Sequence, residues 1–338
     1  MPQKEDRILL AHGGGGLMMK RLIEEIIMPR FSNRCLAQLG DSAVFDAPPG
    51  RVAFTTDSFV LKPLFLPGGD IGRLAICGTV NDLAASGARP LYLSLALIIE
   101  EGFLIGDMER VLDSARAAAA EAEVEVVAGD TKVVERGSAD GLFVTTSGIG
   151  VVPDGVNVFP NGARPGDRVL ISGPIGDHGI AVMSARPGIS FETPVKSDMA
   201  PLGKLVAKVL EGTKDIHAMR DPTRGGLAAA LNEIAMASGV SIVIGESQLP
   251  VRREVMAACD IMGFDPITVP NEGKMLIICA AAVAESVLAA LKRNPLGRDA
   301  GIIGEVVAQP PGRVVMQTRT GGRRIVDLPY GEQLPRIC

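Results

Sequence analysis

The 338-residue chain has no tryptophan, two tyrosines and three histidines, and no two of its five cysteines fall in a CxxC pair. That missing spacing argues against a structural zinc site, and His12, His178 and His217 offer no metal-ligand spacing either. His178, which follows Asp177 in a Gly-rich stretch, reads as a structural turn residue. Basic residues are in deficit: 34 Lys and Arg against 39 Asp and Glu leave a net charge of −5. The cations are scattered, so there is no electrostatic footprint for a nucleic-acid backbone. Apolar runs are short, the longest at 91–99, far below the roughly 20 residues that span a bilayer. Residues 1–10 are charged and lack a signal-type apolar core, which leads to an expectation of a cytoplasmic, reducing compartment. There is no GxxxxGK[ST] phosphate loop, no internal repeat and no low-complexity tract.

What is present describes a globular protein of about two domains on the usual scale of roughly 100–200 residues each. Hydrophobic residues make up 47%, mostly Ala, Val, Ile and Leu, and the mean hydropathy of +0.26 is high enough to predict a buried subunit interface. Cys77, Cys259 and Cys279 sit among apolar neighbours and read as small core residues. Strand-like segments recur at 52–56, 91–99, 124–128, 142–149, 168–172, 242–244, 275–279 and 301–307, alternating with helical spacing at 106–121, 202–210, 225–238 and 282–292. That alternation predicts an α/β or α+β architecture. Turn formers crowd residues 152–167, and Pro329, Tyr330, Gly331 and Pro335 end regular structure after about Val326. The expected units are therefore 1–155, 165–326 and a tail at 327–338.

That tail ends Pro335-Arg336-Ile337-Cys338, a thiol where no core needs one. Five aspartates stand beside Gly, Thr or Asn: Asp41, Asp57, Asp82, Asp130 and Asp221. Each reads singly as a turn or cap residue, Asp82 and Asp221 because they look like residues that precede helices. Together they suit Mg²⁺, which is held by one or two carboxylates per ion plus substrate phosphates. Gly13, Gly14, Gly15 and Gly16 enter a helical segment, and such a backbone can donate N–H groups to phosphates.

These motifs carry a resemblance. Gly40-Asp41-Ser42-Ala43, Thr56-Asp57, Asn81-Asp82-Leu83-Ala84, Gly129-Asp130-Thr131 and Asp221-Pro222-Thr223-Arg224-Gly225-Gly226 are similar to the aminoimidazole ribonucleotide (AIR) synthetase, selenophosphate synthetase and thiamine-monophosphate kinase superfamily. His12-Gly13-Gly14-Gly15-Gly16, Lys132-Val133-Val134, Pro270-Asn271-Glu272-Gly273 and the Cys338 tail narrow the resemblance to its hydrogenase-maturation branch, the HypE family. The resemblance implies a two-domain AIR synthetase-like (PurM-like) fold whose N-terminal domain closes a β-barrel with a second subunit. It also implies a C-terminal α/β domain and a flexible tail. ATP would be bound by Gly13 to Gly16, Asp57, Asn81, Asp82, Asp130, Thr131, Lys132, Asp221 and Thr223. Mg²⁺ would be held from among Asp41, Asp57, Asp82, Asp130 and Asp221.

The implied activity is ATP-driven dehydration of a carbamoyl group on Cys338 to S-cyanide, a source of cyanide for hydrogenase iron. The implied partners are a second copy of the chain, the carbamoyltransferase HypF and the HypC–HypD iron complex. Lys132 and Glu272 are the candidate proton acceptors, with a phosphate clamp as the equal alternative for Lys132; the alternative for Glu272 is a plain turn residue before the strand at 275–279. Arg336 would either pair with phosphate or keep the tail soluble. Eleven residue steps from Asp327 to Cys338 would span roughly 36–40 Å when extended, enough to visit a partner and return. Two other readings compete: a small-molecule kinase or synthetase of the selenophosphate or thiamine-phosphate type, and a docking module whose ATP site only fixes its shape.

Overall fold

In the computed structural model, which describes residues 6–38, 40, 42–188, 193–328, 334 and 336–338, two α/β halves follow one another along the chain. The first half opens with α1 (Leu17–Arg21) and α2 (Met28–Phe31), joined by a π-helical stretch at Leu22–Ile27. It continues through β1 (Arg51–Phe59), the hairpin of β2 (Phe65–Leu66) and β3 (Gly69–Asp70), α3 (Ile71–Ala85), β4 (Arg89–Glu100), α4 (Ile105–Ala122), β5 (Glu125–Val134) and β6 (Leu142–Val152). The second half holds β7 (Arg168–Ile171), α5 (Asp177–Ser184), α6 (Gly203–Gly212), β8 (Ile216–Arg220), α7 (Gly226–Ser238), β9 (Ser241–Gly245) and α8 (Arg253–Met262). It ends with β10 (Leu276–Cys279), α9 (Ala284–Lys292), β11 (Gly301–Val307), β12 (Arg313–Gln317) and β13 (Arg323–Ile325). The turn-rich stretch 153–167 between β6 and β7 carries no helix or strand.

The first sheet runs β1-β6-β4-β5, antiparallel except for the β4–β5 pair. Successive side chains of a strand point to opposite faces, so Leu93, Leu95, Leu97 and Ile99 of β4 all bury on one side, in a core with Leu74 of α3 and Met108 and Leu112 of α4. The opposite face leaves Val52, Phe54 and Ile98 exposed. The second sheet runs β13-β12-β9-β11-β7-β10-β8 and is covered on both sides. Val169 and Ile171 pack with Leu227 and Leu231 of α7, while Leu170 between them packs with Leu205 of α6 and Val287 of α9. Cys77, Cys259 and Cys279 are buried in these cores, as expected, and Cys35 is buried too.

Several elements differ from the sequence expectations. α3 was not expected; it buries twelve of its fifteen residues, so it has no polar stripe and shows no 3.6-residue period. Its start is fixed by Asp70, whose Oδ1 accepts the N–H groups of Gly72 at 2.8 Å and Arg73 at 3.1 Å. Asp82 consequently lies in the last turn of α3 and does not precede a helix. Asp221 follows β8 but does not cap α7, whose N-cap is Gly225 in a left-handed conformation. Asp130 is inside β5, not at its end. His178 is in the first turn of α5, fully buried, and is not a turn residue. Asp41 lies outside the described residues.

The two halves share one core. Ile180 and Val182 of α5, Val255 of α8 and the tail residues Leu334 and Ile337 join the cluster built on α3, α4 and the first sheet. Close helix packing inside that cluster depends on Gly72, where an added Cβ would lie 2.1 Å from the carbonyl oxygen of Val111 in α4. Gly72→Ala is expected to lower stability in urea unfolding by about 1–3 kcal/mol, the usual cost of overpacking. Gly106→Ala in α4, where an added Cβ meets no atom within 4 Å, is expected to raise it by about 0.5 kcal/mol.

Candidate active site

A cavity of about 390 Å³ opens between the halves, lined by Thr56 and Asp57 of β1, Gly78 and Asp82 of α3, the segment 158–160, and Met219 to Asp221, Thr223 and Arg224 around the end of β8. Glu272 and Cys338 complete its lining. Gly78 is needed for the approach of β1 to α3, since an added Cβ would sit 3.0 Å from the Phe59 ring and 3.6 Å from Asp57 Oδ2. Thr55 donates its hydroxyl to Asp82 at 2.9 Å, and the Ser58 N–H donates to Asp57 at 2.8 Å.

The carboxyl groups of this cavity are all held above their ordinary protonation range. Burial pushes Asp57 up despite the opposing Ser58 N–H and Arg224. Burial also raises Asp82, and the neighbouring Asp57 adds to it. Asp221 is pushed up to about 7 by burial and then by Asp82 and Asp57. Glu272 lies well above its usual value because it is buried and faces Asp221, Asp198, Asp57 and Asp82. One of its oxygens, Oε1, has no hydrogen-bond partner among the described residues, and the residue is 3% exposed. A buried carboxyl cluster that Arg220 and Arg224 offset only in part attracts cations and holds protons.

Glu272 is held rigidly. Its N–H donates to Asp198 at 3.0 Å and its carbonyl accepts from Asn81 Nδ2 at 3.2 Å. Burial alone would raise Asp198, yet the Lys274 ammonium at 3.0 Å holds it below the usual carboxylate range. Asn271 accepts the Gly176 N–H at 2.7 Å and donates to the Pro222 and Val269 carbonyls at 3.0 and 3.2 Å, tying the Glu272 turn to the Asp221 loop. Sequence reasoning assigned no role to Asn271, although the Pro270-Asn271-Glu272-Gly273 motif contained it. Asn81, expected among the nucleotide ligands, departs from that expectation. It is 1% exposed, gives both amide hydrogens to the Ala200 and Glu272 carbonyls and accepts the Leu202 N–H, so its side chain is spent inside the protein.

The tail ends in this cavity. The Val60 N–H donates to a terminal carboxylate oxygen of Cys338 at 3.1 Å and the Lys62 N–H to the carbonyl oxygen of Arg336 at 3.2 Å. Arg336, expected at phosphate or in solvent, instead pairs through Nη1 with Asp140 and donates Nε–H to the Val60 carbonyl at 3.0 Å. Asp140 also holds Lys62 at 2.6 Å, and these two cations keep its carboxyl below the usual range.

The remaining candidates gather elsewhere. Lys132 Nζ is 3.2 Å from Asp130, and both are exposed on β5. Asp130 and Thr131 line a second cavity of about 300 Å³ with Met19, Phe31, Gly40 and Ala43. Gly13 packs against Val133 on the same strand, so the glycine run Gly13, Gly14, Gly15 and Gly16 borders this group and not the Cys338 cavity. β1 and β5 are the two edges of the first sheet, which three strand spacings of about 4.8 Å place roughly 14 Å apart. Within one chain, then, Asp57, Asp82, Asp221, Thr223, Glu272 and Cys338 come together, and Asp130, Thr131 and Lys132 do not join them. Among the described residues, no group of three or more His, Cys, Asp or Glu side chains forms a ready metal cage.

Comparison with known proteins bears on this arrangement. Residues 39–152 match the model of the AIR synthase related protein N-terminal domain and residues 164–317 that of its C-terminal domain. The carbamoyl dehydratase HypE of Bradyrhizobium diazoefficiens is 54% identical over 330 residues, covering 97% of this chain and 95% of that protein. A crystal structure of hydrogenase maturation protein HypE in complex with ATP superposes with a TM-score of 0.94 at 46% identity, covering 98% of this chain and 99% of the other. The HypE chain of a HypE–HypF complex matches with a TM-score of 0.81 at 50% identity over 91% of this chain and 99% of that one. The two-domain AIR synthase-like fold, the acidic cavity and the seated terminal cysteine thus converge with full-length relatives: the chain belongs to the HypE carbamoyl dehydratase family of AIR synthase related proteins.

Proposed function

We propose that this protein is an ATP-dependent carbamoyl dehydratase that converts an S-carbamoyl group on its own Cys338 into S-cyanide, for the cyanide ligands of hydrogenase iron. The observation that carries this reading is that Cys338 lines the same cavity as Asp57, Asp82, Asp221 and the buried, unsatisfied Glu272. A kinase acting on a free small molecule would have no use for a tail residue in that place.

The chemistry follows from what dehydration of a thiocarbamate requires. The carbonyl oxygen is a poor leaving group, so it takes the γ-phosphoryl of ATP, and its bond to phosphorus forms as ADP departs. Loss of one N–H proton accompanies this step. The C–O bond then breaks, releasing phosphate with the former carbonyl oxygen, and loss of the second N–H proton completes the C≡N bond. Glu272 is the proposed proton acceptor: its raised protonation range makes the ionised carboxylate a stronger base than an ordinary one. Asp57, Asp82 and Asp221 offer only oxygen donors, and the charges of Asp57 and Asp82 raise Asp221; with ATP phosphates supplying the remaining ligands they would hold a hard divalent cation, and Mg²⁺ would neutralise phosphate charge there. Thr223 and Arg224 stand at the rim, where a phosphate would meet them.

Lys132, Asp130, Thr131 and Gly13 to Gly16 belong to the site through a second copy. The proposed homodimer closes a barrel over the exposed Val52, Phe54 and Ile98 and brings the β5 edge of one subunit toward the β1 edge of the other. Lys132 then serves as relay or phosphate clamp for the partner's cavity. The tail is proposed to leave its inner seat for loading by HypF, and the cyanide to pass to the HypC–HypD complex. No helix among the described residues is long and apolar enough to cross a membrane; a cytoplasmic setting is proposed because Cys338 must remain a thiol.

Incubation with HypF, carbamoyl phosphate and ATP is expected to add one carbamoyl group to the C-terminal peptide and then remove one water, read by intact mass; ATP consumption with Cys338 unmodified would sink the reading. Glu272→Gln is expected to accept the carbamoyl group normally but to dehydrate it about 10²–10⁴-fold more slowly, the usual worth of a positioned general base. In the nucleotide-free protein, Asp221 binds its proton more tightly folded than unfolded, so its contribution to stability is complete below the ordinary value of 3.8 and is lost as pH rises toward about 7. Melting temperature should therefore fall across that window, and Asp221→Asn or saturating Mg²⁺-ATP should flatten the fall.

A further inference from the structure

The inner seat of the tail contains a contact that the chemistry above does not use. Arg336 and Cys338 are held from one side, by the N–H groups of Lys62 and Val60. The carbonyl between them, that of Ile337, turns the other way and lies 2.8 Å from Nε2 of His178. A carbonyl oxygen only accepts, so Nε2 carries the hydrogen. The second ring nitrogen, Nδ1, is 2.8 Å from the Ser197 hydroxyl. Ser197 Oγ accepts the Met199 N–H at 3.3 Å, and the Ser197 N–H donates to the Pro67 carbonyl at 2.8 Å. The serine hydroxyl hydrogen is thus directed at Nδ1, which fixes the ring tautomer and orientation. Burial holds His178 below its usual protonation range, so Nδ1 stays an acceptor. His178 is fully buried, Ile337 is 3% exposed, and Arg336 adopts a left-handed φ of 53°, a conformation that persists only when its surroundings fix it.

We infer that His178 is a positioning residue for the terminal thiol: by donating Nε2–H to the Ile337 carbonyl it fixes the last residue so that Cys338 stays in the cavity with Glu272. A tail deprived of this bond remains open to loading but spends less time where dehydration occurs. The kinetic part of the inference rests on the dehydratase reading; the geometric part does not.

The test compares His178→Leu, His178→Gln and His178→Asn in the full-length protein. The Gln amide reaches about as far as Nε2, whereas the Asn amide reaches only as far as Nδ1. One readout is alkylation of Cys338 by iodoacetamide, followed by mass, which is selective because the other four cysteines are buried. The other is single-turnover loss of water from carbamoylated Cys338 after ATP is added. Loss of one hydrogen bond worth about 1 kcal/mol predicts that Leu and Asn raise the alkylation rate and lower the dehydration rate by about five-fold, with loading by HypF unchanged, and that Gln restores both to within about two-fold. Should Leu lower the melting temperature, the Gln and Asn pair, both polar and both at the same site, decides the matter. Equal alkylation rates for wild type and Leu, or equal rates for Gln and Asn, would overturn the inference. If the wild type never dehydrates its carbamoyl group but alkylation still orders Leu and Asn above Gln, the positioning role stands and the dehydratase reading falls.

Discussion

Crowding of acid groups in a cleft that water enters only partly is the constraint from which the other features of this molecule follow. Burial raises the proton affinity of Asp57, Asp82, Asp221 and Glu272, and the charge of Asp57 adds to it at Asp82, those of Asp57 and Asp82 at Asp221, and those of all three at Glu272. The fold holds them there by rigid means: α3 is almost wholly buried, Gly78 lets β1 close on it, and Asn81 and Asn271 bind the Glu272 turn through six side-chain hydrogen bonds to backbone groups around it. A nucleotide that brought a divalent cation with it would gain most at such a site, because the cation would offset the crowding of the carboxyls.

The partition of the candidate residues between two sheet edges would give the proposed dimer a chemical reason. Strand order β1-β6-β4-β5 separates Asp57 from Asp130 by the width of the sheet, and the face that would close on a second copy is where Val52, Phe54 and Ile98 are exposed. A barrel made from two such sheets would bury that apolar surface and complete two sites at once.

Much of this was legible from residue pattern, and the failures have physical causes. The strands of the first sheet were found because period-two alternation marks a half-buried strand, and α4, α6 and α7 because they keep helical spacing. α3 was missed because a helix buried all round has no stripe to detect, and its loss misplaced Asp82. Local sequence cannot report strand order, so Asp130 and Lys132 were grouped with Glu272 although they sit on the far edge of the sheet. Cys338 was singled out by its terminal position together with the motifs upstream of it, whereas the burial of Glu272 and the bond between His178 and Ile337 depend on segments far apart in the chain.

The two clasps that hold the tail differ in their exposure. Arg336 grips Asp140 at the surface, sharing it with Lys62, in a cluster whose side chains are one-third to three-fifths exposed. His178 grips Ile337 in the dry interior. Dissolved ions screen the first and scarcely touch the second. Ionic strength therefore acts on the outer clasp alone, and a terminus that leaves its seat for loading, as proposed above, would do so more readily in a stronger electrolyte, with the chemistry inside unaltered.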